Sequence, residues 1–166
     1  MRFFTPELYL RFNSPGRSTA EEAHEDWEQA LAKYRKHIEK IRPRMKNGVG
    51  EIAETLCLHD FAYLGMNVSP ILDHGGALAA VMLRNGGKAM ILAYFLSEEP
   101  LAQEASESWP FSKDRVHWLY DEFDVRPDGT AQHEVLLSNG HILTLRFYEL
   151  RLLEHEFEAP AVAKRA

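Results

Sequence analysis

The side chains with the most chemical potential lie in the last third of the chain, VHWLYDEFDV–RPDG–TAQHEVLLSNGHILTLRFYEL. Glu122, His133 and Arg146 are a carboxylate, an imidazole and a guanidinium, with the phenol of Tyr120 close in sequence. A carboxylate can orient and charge an imidazole, and an arginine can hold an anionic oxygen, so the group could serve general acid–base catalysis. It does so only if strand pairing brings the residues together, and two turns predict that pairing. Ser138-Asn139-Gly140-His141 suggests a two-residue type I′ hairpin, in which Asn and Gly tolerate positive φ. That geometry pairs Ser138 with His141, Leu136 with Leu143, Glu134 with Leu145 and His133 with Arg146. Arg126-Pro127-Asp128-Gly129 suggests a four-residue loop with Pro presetting φ, so that Val125 faces Thr130 and Glu122 faces His133. The row Glu122/His133/Arg146 would then share one sheet face. The plain alternative is a polar ladder on the exposed end of a sheet.

The same register places His117, Ser138 and His141 in another row. Two imidazoles on one face could hold a metal with a third ligand, although the tight spacing typical of metal sites is missing. Trp118 and Tyr148, with Tyr120, mark a partly apolar face to which a partner could bind. His59-Asp60 and Asp73-His74 flank the first strand and read as a helix end and a turn. Cys57, between two leucines, reads as a small buried hydrophobe. No nucleotide loop, zinc spacing or nucleophile elbow is present, and no cofactor is expected.

These residues are held by a regular succession of elements. Thr5-Pro6 is a helix start, an N-cap hydroxyl followed by proline. A second helix begins at Ser18 or Thr19 and runs to Ile41. Ala23, Trp27, Ala30, Leu31, Tyr34, Ile38 and Ile41 form its buried stripe, and its acids precede its bases in keeping with the helix dipole. A shorter helix spans about 51–58. From Phe61 the period changes to extended. LAAVMLR–NGG–KAMILAYFL is a hairpin, and a three-residue Asn85-Gly86-Gly87 loop would pair Val81 with Ile91. Residues 97–113 read as a long loop. The expected fold is α+β, with N-terminal helices packed on one face of a mostly antiparallel sheet of about six strands. One domain covers residues 1–158, and 159–166 form a flexible tail.

Composition narrows the function classes. The chain has 166 residues, 45% hydrophobic and 27% charged, as expected of an ordered globular protein. Its net charge of −6 disfavours general binding to nucleic acid or anionic membranes. The basic run Lys33–Lys46 is explained by a helix C-terminus, and its only aromatic is Tyr34. The apolar runs are too short for a membrane span. A lone cysteine and an opening segment without a signal-peptide core fit the cytoplasm.

The opening Met1-Arg2-Phe3-Phe4-Thr5-Pro6-Glu7-Leu8-Tyr9, with Leu58-His59-Asp60 and Leu119-Tyr120-Asp121-Glu122-Phe123, resembles a group of uncharacterised bacterial proteins beginning M-R-[FY]-F-T-x-E-x-Y. The resemblance implies a bacterial cytosolic protein, a domain of unknown function, and transfers no catalytic residue. The functional expectation is a non-enzymatic binding or regulatory module acting through protein or ligand binding on its sheet face, self-association included. The rival is a small hydrolase or isomerase using Glu122, His133, Arg146 and Tyr120, assisted by a metal on His117 and His141.

Overall fold

A computed structural model describes residues 1–71, 76–111 and 114–157. The expected tail and the Asp73-His74 turn lie outside the described residues. Helices α1 (Pro6–Phe12), α2 (Arg17–Ile41) and α3 (Val49–Thr55) come first, with a 3₁₀ turn at Arg42–Arg44. Strands β1 (Ala62–Ile71), β2 (Gly76–Asn85), β3 (Lys88–Leu96), β4 (Leu101–Gln103), β5 (Trp118–Val125), β6 (Ala131–Leu137) and β7 (Ile142–Glu156) follow. The order β1-β2-β3-β7-β6-β5 is antiparallel throughout, and β4 adds to β7 beyond the end of β3. This is the expected α+β class. Backbone bonds from Trp118 N–H to Phe61 O (2.8 Å) and Tyr63 N–H to Val116 O (2.8 Å) join the two outermost strands at one end. The sheet is not closed along its length.

Local chemistry accounts for the helices. Thr5 Oγ1 accepts the Leu8 N–H at 3.2 Å and Pro6 opens α1. The stripe on α2 divides between two clusters. Its first half, Ala23 and Ala30 with Trp27, packs on Phe4 and Leu8. Its end, Ile38 and Ile41, joins Val49 of α3 on the inner sheet face. That inner face carries the main core, including Val81, Leu92, Tyr94, Trp118, Phe123, Val135, Leu145 and Phe147.

The register differs from the expectation in all three hairpins, by one residue each. In the last two, the turn is a three-residue loop. Gly129 N–H bonds Arg126 O and Arg126 N–H bonds Thr130 O; Gly140 N–H bonds Leu137 O and Leu137 N–H bonds His141 O. Gly129 (φ 87°) and Gly140 (φ 82°) are left-handed, whereas Asn139 is not. This is a type I turn followed by a glycine bulge. The cause is shared: Asp128 Oδ1 accepts the Thr130 N–H at 2.9 Å and Asn139 Oδ1 accepts the His141 N–H at 3.2 Å. Each side chain bridges its glycine and fixes the three-residue loop. In the first hairpin, Asn85 pairs with Lys88 across two glycines, so Val81 faces Leu92 rather than Ile91.

Among the described residues three bulges complete the pattern, the first at Leu64 in β1. A second at Leu119 lets Trp118 and Asp121 both face inward. Another at Tyr148 lets Phe147 and Leu150 both enter the core, and leaves Tyr148 61% exposed.

Candidate functional site

The row Glu122/His133/Arg146 does not form. Glu122 pairs with Glu134 and then Thr144, His133 lies between Phe123 and Leu145, and Arg146 pairs with Gln132. A slip of one residue in each hairpin turns His133 to the opposite face from Glu122 and Arg146, because side chains alternate along a strand.

Glu122 is buried and holds the start of the chain. Its Oε2 accepts the Arg2 N–H at 2.7 Å, and its Oε1 accepts those of Phe3 (2.7 Å) and Phe4 (2.6 Å). Opposite it, Glu134 Oε1 receives the Met1 amino group at 3.0 Å. Two facing carboxylates would repel; here each is matched by donors from residues 1–4. Tyr120 shares this face. It lies 4.2 Å from Trp27 and 5.3 Å from His59, ring centre to ring centre. Burial first, then the nearby Tyr9 and Asp60, push its phenol up to about 12.

His133 is fully enclosed in the core. Its ring stacks on Phe123 at 3.8 Å with 15° between planes. Nε2 lies 3.0 Å from Asp121 Oδ2, and Nδ1 lies 2.8 Å from the Tyr94 hydroxyl. A carboxylate only accepts, so Nε2–H donates to Asp121, and Nδ1 is hydrogen-bonded to the Tyr94 hydroxyl. Asp121 Oδ1 accepts the Trp118 indole N–H at 2.8 Å. The chain Tyr94–His133–Asp121–Trp118 is thus satisfied at every polar side-chain atom. Burial, and then the charge of Asp121, hold the Tyr94 phenol well above its ordinary value. His133 is wholly buried and Asp121 partly so, and a satisfied network of this kind can specify a core.

Arg146 is part of a surface clamp. It reaches Glu98 Oε2 at 2.6 Å and Gln132 Oε1 at 3.1 Å, while Arg126 holds the other Glu98 oxygen. The bond from Arg146, then that from Arg126, lowers the Glu98 carboxyl below its usual range. His117 and Ser138 do meet, through His117 N–H to Ser138 Oγ at 2.8 Å. The imidazole of His117 turns instead toward Asp60 O, at 3.3 Å, and His141 pairs with Leu137. Among the described residues no three His, Cys, Asp or Glu side chains are placed to hold a metal. Trp118 is wholly buried and offers no surface to a partner. Tyr148 is exposed and lines a cavity of about 260 Å³ with Arg44, Asn47 and Thr130. Cys57, expected to be buried, is exposed.

Two features were not foreseen from sequence. One is the outer face of β1, β2, β3 and β7. The row Gly65/Met82/Ile91/Leu153 runs across it, beside Asn67/Ala80/Ala93/Arg151 and Ser69/Leu78/Phe95/Glu149. Met82 (38%), Ile91 (36%) and Leu153 (57%) are exposed, and none joins a cluster with helix residues. The other is a basic cleft beside α2. Its signal was the lysine run, whose partners across the fold could not be read. Comparison of the chain with protein-family models, curated proteins and solved structures found no match.

Proposed function

We propose that the protein is a non-enzymatic binding module of regulatory type, acting through the outer face of β1, β2, β3 and β7. The observation that carries this is the row Met82/Ile91/Leu153, apolar and exposed on a sheet face whose other side is the core. Contiguous apolar surface of this kind marks a protein-interaction site. The occupant its chemistry fits is a second copy. Glu149 and Arg151 lie beside the row, paired at 2.6 Å, so the patch carries both signs of charge. A two-fold contact would set each against its opposite in the other copy. The dispersal of Glu122, His133 and Arg146 removes the geometry on which the hydrolase or isomerase reading depended. A bacterial cytosolic setting, implied by the motif resemblance and the single cysteine, belongs to the same proposal.

Sedimentation velocity over a concentration series tests it. The wild type is expected to self-associate. An Ile91→Glu/Leu153→Glu variant, with unchanged circular dichroism, is expected to remain monomeric at every concentration. A wild type that is monomeric throughout, or a variant that associates equally well, sinks the reading.

A further inference from the structure

The cleft beside α2 has a composition opposite to that of the protein. It is an open cleft of about 590 Å³ lined by Arg2, Lys33, Lys36, Lys40 and Arg44, with His37 at its side. Five of the chain's 19 Lys and Arg side chains meet there against a single carboxylate, Asp124, in a chain of net charge −6. Asp124 is already engaged. Its Oδ1 accepts the Val125 N–H at 2.7 Å and lies 3.3 Å from His37 Nε2. Lys33, Lys36 and Lys40 have no ion-pair partner among the described residues, whereas Arg11, Arg17, Arg42, Lys88, Arg126, Arg146 and Arg151 each have one.

The cations converge from three parts of the fold. Glu122 fixes the backbone at Arg2, α2 carries three lysines on one side, and Arg44 is pinned by its bond to Arg126 O at 2.7 Å. Lys33, Lys36 and Lys40 follow one helical face at spacings of three and four. From first to last they span roughly 10 Å at the helical rise. Gathering unpaired like charges in a concave site raises the self-energy of the empty protein, and a multivalent anion relieves it. The length of the row exceeds a single phosphate and suits a short chain of them.

We propose that this cleft is a binding site for a linear oligophosphate. The lysines act as point charges along the chain, and Arg44 and Arg2 close its ends with directed N–H donors. A nucleic-acid strand is a poorer fit. Base stacking needs exposed aromatic faces, and the one aromatic in the cleft, Phe3, is covered by the Arg2 guanidinium at 4.9 Å and packs on Tyr34. The proposal rests on observations independent of the outer sheet face and stands or falls separately.

Isothermal titration of the full chain with inorganic tripolyphosphate, orthophosphate, ATP and a single-stranded oligonucleotide tests it, against a Lys36→Gln/Lys40→Gln variant. Both lysines are exposed, so the variant keeps its fold, checked by circular dichroism. Tripolyphosphate is expected to bind more tightly than orthophosphate, to weaken as salt rises, and to lose about tenfold in affinity in the variant. ATP binding as tightly as tripolyphosphate would assign the site to the phosphate tail of a nucleotide. ATP binding much more weakly would assign it to free oligophosphate. No tripolyphosphate binding, equal binding by the variant, or tighter binding of the oligonucleotide would overturn the proposal.

Discussion

Two glycines occupy the same place in two like turns, and alanine at each should behave differently. Gly129 and Gly140 both follow a type I turn at positive φ, 87° and 82°. An alanine at either costs about 1–2 kcal/mol for the left-handed backbone alone. At Gly129 nothing else opposes it, since no heavy atom lies within 4 Å of the added Cβ. At Gly140 the new Cβ would sit 2.5 Å from Trp109 Cδ2 and 2.8 Å from Ala105 Cβ. Trp109 cannot easily retreat: it is buried, its indole N–H bonds Ser138 O at 2.9 Å, and it stacks on Tyr9. Overpacking of this kind adds about 1–3 kcal/mol. Gly140→Ala should therefore destabilise by roughly 2–5 kcal/mol and Gly129→Ala by about 1–2 kcal/mol. Urea unfolding followed by circular dichroism measures both, with the slope checked for constancy. Equal losses, or a larger loss at Gly129, would mean that residues 105–109 do not pack against the β6–β7 turn, and the cover on that sheet face would be misplaced.

Tyr94→Phe removes one oxygen from the core and leaves His133 Nδ1 without its hydrogen-bond partner, at an expected cost of about 1–3 kcal/mol. Combined with His133→Leu, the second loss should be smaller than it is alone; strictly additive losses would refute the Tyr94–His133 bond. The fully buried phenol of Tyr94 and the half-buried phenol of Tyr120 also predict an alkaline limit. Tyr94 and Tyr120 have folded values raised above the ordinary 10.0, that of Tyr120 to about 12, with burial the first cause of each. A raised folded value means that the folded state holds the proton more tightly, so this stabilisation is fully present below pH 10 and is lost as pH climbs through about 12. Stability should decline from about pH 10 upward, with phenolate absorbance of the buried tyrosines appearing only as the fold is lost. If every tyrosine ionises together near pH 10 in a folded protein, their burial is refuted.

What could be read from sequence, and what could not, divides along physical lines. The cap at Thr5-Pro6, the 3.6-residue stripe on α2 and the alternation of the strands are local, and each element forms where those signals stand. Register is only half local. Pro127-Asp128-Gly129 and Ser138-Asn139-Gly140 announce turns without revealing whether Asp128 and Asn139 will bridge their glycines, and that bond decides the loop length. One residue of loop length moves His133 from the face of Glu122 to a stack on Phe123, and changes a candidate acid–base group into a core network. Bulges at Leu119 and Tyr148 then shift the alternation again, exposing Tyr148 and burying Trp118. The basic cleft is wholly tertiary: Arg2 and Lys40 are distant in sequence, and they line one cleft because Glu122 draws the first residues back across β5 toward α2. The carboxylate chosen from sequence as a catalytic group thus does its work by placement, holding the backbone that carries one of the cleft's cations.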